Sequence, residues 1–165
     1  MAVVPWHVKD ECRTILKNSR QGFRTHAQIR KLINYTEQAQ IFPENLDDQE
    51  VLVDLCQHLR LIPLPKNSLL FLQGQAASTY YIIFSGAIEI IQTKDPVHLS
   101  ALKRKYSHNL LKGLGDHFSL NKLGNKLCSL PDNRGFGELA LLKEGGTRAT
   151  HAFAQRPTEV LALEK

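Results

Sequence analysis

With 165 residues, 42% of them hydrophobic, and a formal charge of +5, the chain can bury one ordinary core but not comfortably two. No apolar run approaches the roughly 18 residues of a membrane span, and the opening MAVVPWHVKDECR lacks the hydrophobic stretch of a secretion signal. Three cysteines at wide spacings, Cys12, Cys56 and Cys128, argue against a disulfide framework and for reduced thiols, so a cytoplasmic protein is expected.

Residues 25–38, THAQIRKLINYTEQ, open with Thr25 and place Gln28 three positions later. That is the pattern of a capping box, and Ile29, Leu32 and Ile33 then fall on one helical stripe. IFPENL ends this helix with a proline and turns the chain. A second helix follows, in which Asp47 caps, Glu50 answers it, and Val51, Leu52, Leu55, Cys56 and Leu59 form the apolar face.

From Leu61 the pattern changes. The sequence becomes rich in Ile, Leu, Phe and Tyr, with Pro, Asn, Ser and Gly every several residues, and this predicts strands over 68–72, 79–84 and 87–92. Ser85-Gly86 is the tight reversal between the last two. Residues 92–134 then carry eight Lys or Arg against three Asp, the whole of the chain's net charge. Such a segment reads first as a solvated loop, and second as a surface for nucleic acid or an anionic membrane. Tyr106 and Phe118 are its only aromatics, too few for a base-stacking platform. Two more strands surround a turn at Arg156-Pro157. Helices first and short antiparallel strands afterwards imply an α+β domain whose sheet closes into a roll or barrel. The expected organisation is a helical segment over 1–60 and a rolled sheet over 61–165, with a basic insertion at 93–133.

The stretch RGFGELALLKEGGTRAT, residues 134–150, carries the chemistry. Gly135 and Gly137 flank Phe136 and let backbone approach a ligand closely. Glu138 to Leu142 can form one helical turn whose first amides lack internal partners and face an anion. Arg148, arriving past the KEGGT turn, can complete a phosphate site with a charge-assisted pair. Glu138 would be repelled by that phosphate unless a hydrogen-bond donor lies between them. A ribose hydroxyl is such a donor, and the pair describes a ribose phosphate.

These residues resemble the phosphate-binding cassette of the cyclic nucleotide-binding domain family. Upstream, FLQGQAASTYYIIFSGAIEII resembles the family's glycine-punctuated hairpin, with Gly74 and Gly86 at its turns. The resemblance runs from about Leu46 to Leu163. It implies an antiparallel eight-stranded β-roll, jelly-roll-like, behind an N-terminal helical subdomain. It also implies Glu138 on the ribose 2′-hydroxyl and Arg148 on the cyclic phosphate, with Phe136, Gly137, Leu139, Ala140 and Ala149 completing the cradle. Ala149 stands where a hydroxyl is associated with cGMP, so cAMP is the favoured ligand. The function implied is a cyclic nucleotide sensor acting through an unidentified effector.

Three departures accompany the match. Glu138 and Arg148 are ten apart, a spacing shared with the bacterial catabolite regulators. Ala77 replaces a glycine at the hairpin tip. The insertion adds about two dozen positions where connections of roughly 4 to 6 are usual, which marks a functional or disordered loop. The family's closing helices have no counterpart after LALEK, so a fragment or splice form is expected.

Two other classes compete with this reading. A degenerate domain would keep the fold as an interaction scaffold and lose the ligand. A metal-dependent barrel enzyme would need histidines and carboxylates on adjacent strands; His98, His108, His117 and Cys128 are spaced for no usual zinc site, and no nucleophile has a base beside it. Neither an enzyme nor a metal protein is expected, and nucleic-acid binding would rest on charge alone.

Overall fold

The computed structural model describes residues 3–44 and 46–164. Its first helix, α1 (Trp6–Asn18), starts at Pro5 without a side-chain cap. Helix α2 (His26–Gln38) has the reciprocal Thr25–Gln28 capping box. Helix α3 (Gln49–His58) is capped by Asp48, whose carboxylate accepts from the amides of Glu50 and Val51. The sequence reading anticipated α2 and α3, missed α1, and placed the α3 cap one residue early. It also put Val51 on the apolar face, where the structure leaves it exposed.

Eight strands follow: β1 (Arg60–Leu64), β2 (Ser68–Phe71), β3 (Thr79–Ser85), β4 (Ile88–Gln92), β5 (Asn125–Leu130), β6 (Gly135–Phe136), β7 (His151–Ala154) and β8 (Thr158–Glu164). All pair antiparallel in two four-stranded sheets, ordered β1-β8-β3-β6 and β2-β7-β4-β5. This is the expected α+β β-roll.

Side-chain alternation assigns each sheet face. Ile83, Val160, Ile88, Ala152, Ala154 and Phe136 fill the space between the sheets. Ile82, Phe84, Leu161 and Leu163 point the other way and bury against Cys12, Ile15, Leu32 and Tyr35 of α1 and α2. Cys12 and Cys56 are buried free thiols, and burial pushes both up to about 12, so they serve as small core residues.

The segment expected to be a solvated or disordered loop is folded. Asp95 caps α4 (Pro96–Tyr106), with Pro96 in its first turn. Leu102 and Tyr106 of α4, with Leu123, cover Leu69, Ile91 and Phe153 on the outer face of the second sheet. Phe118 packs edge-on to Tyr106 and against Phe153. The β2–β7 side of the second sheet is therefore covered on both faces, which is why both strands are buried at every position.

Two polar devices tie the layers together. Arg13 of α1 pairs with Glu159 of β8 at 2.8 Å, and Lys9 pairs with Asp132 at 3.0 Å. Arg24, buried between the helices, donates from Nη1 to the Cys56 carbonyl at 2.5 Å and from Nη2 to the Leu59 carbonyl at 2.6 Å. It thus neutralises the C-terminal end of α3.

Candidate functional site

Beyond β6 the chain must turn sharply, and Gly137 does so at φ +87°, a conformation open to glycine. A Cβ there would lie 2.6 Å from Arg148 Nη1, so the glycine also makes room for the guanidinium. A short 3₁₀ turn follows over Leu139–Leu141, where a helical turn over 138–142 was expected. It closes with the Leu141 amide donating to the Glu138 carbonyl at 2.9 Å. The return from this turn needs Gly146, whose Cβ would fall 1.8 Å from the Ala140 carbonyl oxygen.

Arg148 is fixed at both ends. Its backbone N–H donates to the Gln75 carbonyl, its carbonyl accepts from the Gly74 amide at 2.7 Å, and Ala77 pairs with Gly146. The tip GQAAST is therefore paired against residues 146–148. At the other end Nη1 donates to the Gly137 carbonyl at 2.8 Å and Nη2 to the Thr79 carbonyl at 2.6 Å. The guanidinium carbon stands 4.4 Å above the Phe71 ring and 5.4 Å from that of Tyr81, and Phe136 stacks on Tyr81. Arg148 is buried. That burial lowers its pKa from the ordinary value, with Tyr81 opposing, yet an arginine remains charged. Among the described residues no carboxylate pairs with it. A buried cation held only by carbonyls and aromatic faces keeps much of its field for an incoming anion.

The cavity beside it measures about 360 Å³, within the range that holds small ligands. Phe136, Gly137, Glu138, Leu139, Ala140, Arg148 and Ala149, the seven residues expected from sequence, all border it. Phe71, Ile90, Leu130, Arg134, Gly135 and Thr150 also line it; of these, sequence reasoning singled out only Gly135, for close backbone approach. The β2 and β4 contributors come from strands far along the chain, and no local signal marks them. Glu138 is exposed at the rim. Its carboxylate lies close enough to Tyr80 to add to the effect of burial in raising that phenol. Leu139, which lines the cavity, is 71% exposed, an apolar side chain open to solvent beside the site.

Three residues past Arg148, His151 is fully buried in a closed network. Its Nδ1 accepts from the Gln73 amide at 3.0 Å, and its Nε2 lies 2.7 Å from Thr93 Oγ1. Thr93 in turn donates to the Leu123 carbonyl. Acceptance at Nδ1 places the proton on Nε2. Burial first, and His98 second, push His151 down to about 4, so the ring is neutral.

Among the described residues no helix is long and apolar enough to cross a membrane, and no cluster of His, Cys, Asp and Glu suited to a metal ion is present. No protein-family model matches the sequence, and no curated protein matches it. Solved structures do. A cAMP-bound PfPKA-R aligns with a TM-score of 0.57 and 20% identity, over 86% of this chain and 40% of that one. The regulatory domain of Toxoplasma gondii PKA, co-crystallised with cAMP, gives 0.58 and 17% over 84% and 43%. The sensor domain of the transcriptional regulator DNR from Pseudomonas aeruginosa gives 0.56 and 18% over 81% and 74%. The chain thus spans about two fifths of the length of the first two. With its N-terminal helices and two antiparallel sheets rolled around one core, the chain has the fold of the cyclic nucleotide-binding domains.

Proposed function

We propose that this chain is a cyclic nucleotide sensor domain that takes cAMP into the cavity beside Arg148. The observation that carries the reading is Arg148 itself, a buried guanidinium with no carboxylate partner among the described residues, facing a cavity of mononucleotide size. In this reading the cyclic phosphate sits on Arg148 and on the amides of the turn at Leu139 and Ala140. The ribose 2′-hydroxyl donates to Glu138, and Phe136, Gly137 and Ala149 close the walls. Ala149 offers no hydroxyl to a guanine, which favours cAMP over cGMP. The domain works without catalysis, as a helical segment over 1–60 and a roll over 61–165 carrying the insertion at 93–133. It reports to an effector protein in the cytoplasm.

Calorimetric titration with cAMP and cGMP tests the proposal, with Arg148→Lys as the decisive variant. Lysine cannot reproduce the planar fork, so affinity should fall by at least ~2 kcal/mol, about 30-fold. Equal affinity in variant and parent would remove Arg148 from the site.

One observation favours a second reading, a ligand-free scaffold: both terminal nitrogens of Arg148 already donate to carbonyls. A binder held at a hundred times its Kd should gain about 2.7 kcal/mol of stability, and a scaffold none. Thermal melts with and without cAMP separate the two.

A further inference from the structure

Arg134 lines the mouth of the cavity, and its guanidinium has no ion-pair or side-chain hydrogen-bond partner among the described residues. Its backbone, by contrast, is held firmly. The Asn133 amide donates to the Ile83 carbonyl at 2.7 Å, the Ile83 amide donates to the Arg134 carbonyl at 2.9 Å, and Asp132 accepts from the Gly86 amide at 2.7 Å. Lys9 Nζ and the Tyr35 hydroxyl reach the same turn from α1 and α2. A side chain without a partner on an anchored turn is how a contact residue is presented, since the scaffold fixes its origin and leaves its far end to the ligand.

Strand geometry sets the direction. Phe136 points into the space between the sheets, as does Ile83 of β3, whose amide donates to the carbonyl of Arg134 just before β6. Tyr80 occupies the opposite side, since its hydroxyl fills the place of a Cβ on Gly135. Ile90 and Leu130 line the same cavity and give it apolar wall with no hydrogen-bond code for a base edge. An apolar wall facing a free planar cation is a slot for an aromatic ring, because a guanidinium stacks on a π face.

We infer that Arg134 is a base clamp: its guanidinium folds over the ligand's purine and sandwiches it against Ile90 and Leu130, while Arg148 holds the phosphate at the other end. The inference rests on the proposed function and assigns the end of the site that the glycine-flanked cassette leaves undescribed. Stacking reads the ring and not its edge, so the clamp serves adenine and guanine alike.

The test measures binding of cAMP, cGMP and the base-free methyl riboside 3′,5′-cyclic phosphate to the parent chain, Arg134→Ala and Arg134→Lys. Arg134→Ala should weaken cAMP and cGMP each by roughly fivefold and leave the base-free ligand unchanged. Arg134→Lys should recover little of the loss, because it keeps the charge and lacks the plane. An equal loss for the base-free ligand, or full recovery by lysine, would mean simple attraction to the phosphate and would overturn the clamp. Loss for cGMP alone would mean edge reading and would overturn it too. If the parent chain binds none of the three ligands, the proposed function itself fails. The Arg134 side chain has no partner to lose, so both variants should melt with the parent.

Discussion

Gly137 meets two requirements, and they can be separated by experiment. Its φ of +87° costs a residue with a Cβ about 1–2 kcal/mol, and the added atom would also press on Arg148 Nη1 at 2.6 Å. Gly145 has a comparable φ of +66° with nothing within 4 Å of a built Cβ. Gly145→Ala should therefore show the conformational cost alone. Gly137→Ala should cost more in urea unfolding and should also weaken cAMP, because the displaced guanidinium loses its bond to the Gly137 carbonyl. Equal costs for the two substitutions, with affinity preserved, would show that the cavity tolerates a shifted Arg148. The seven cassette residues were legible because glycines, a carboxylate and an arginine lie within fifteen positions, a local chemical pattern. The aromatic bed of Phe71 and Tyr81 was not legible, because strand register brings it to Arg148 across about 70 residues.

At the scale of elements, the apolar packing of the helices is joined by a polar tie through Arg24, a residue that pattern reading did not single out. It donates to the carbonyls of Cys56, Gln57 and Leu59 and to Ser19 Oγ, joining the end of α1 to the end of α3. Burial lowers its pKa from the ordinary value, and the α3 dipole favours the charge there. Arg24→Met keeps most of the bulk but strands several buried carbonyls. The expected destabilisation is about 3 kcal/mol, read as a lower urea midpoint with an unchanged m-value. A shift below about 0.5 kcal/mol, the range of ordinary surface substitutions, would show that water replaces these bonds. Helix α4 escaped the sequence reading for a related reason. Its inward face rests on Leu102 and Tyr106, too few apolar positions to stand out among Lys103, Arg104 and Lys105, although Asp95-Pro96 was a start signal in plain view.

For the whole molecule, the roll was readable because its strands are short, apolar and punctuated, whereas the layering was not. Nothing in the order of residues says that α4 and the chain to Leu123 must cover the outer face of the second sheet. That layer makes His151 a fully buried residue, since Thr93 and the Leu123 carbonyl close the network around it. The consequence is a pH dependence of global stability. In the unfolded chain a histidine titrates near 6.5, and in the fold burial pushes His151 down to about 4. Below 6.5 the unfolded state therefore binds a proton that the folded state refuses, so stability is full above that pH and declines as pH falls toward 4. The limit is about 3 kcal/mol, from roughly 1.4 kcal/mol per pH unit over the interval. Glu159 acts in the same direction at lower pH. Its burial would raise the carboxyl, but hydrogen bonds from Arg13 and Ser85 hold it below its usual value, and that contribution is lost as the carboxylate protonates. Urea unfolding at pH 7.5 and pH 5 should show the His151 loss before carboxylates contribute much, and the His151 ring resonances should titrate well below pH 5. A midpoint near 6.5 by nuclear magnetic resonance would mean that the ring takes a proton inside the fold and that the layer over the second sheet opens readily. The same opening would loosen β7, which begins three residues after Arg148, so ligand affinity and acid sensitivity should rise and fall together in variants of Thr93.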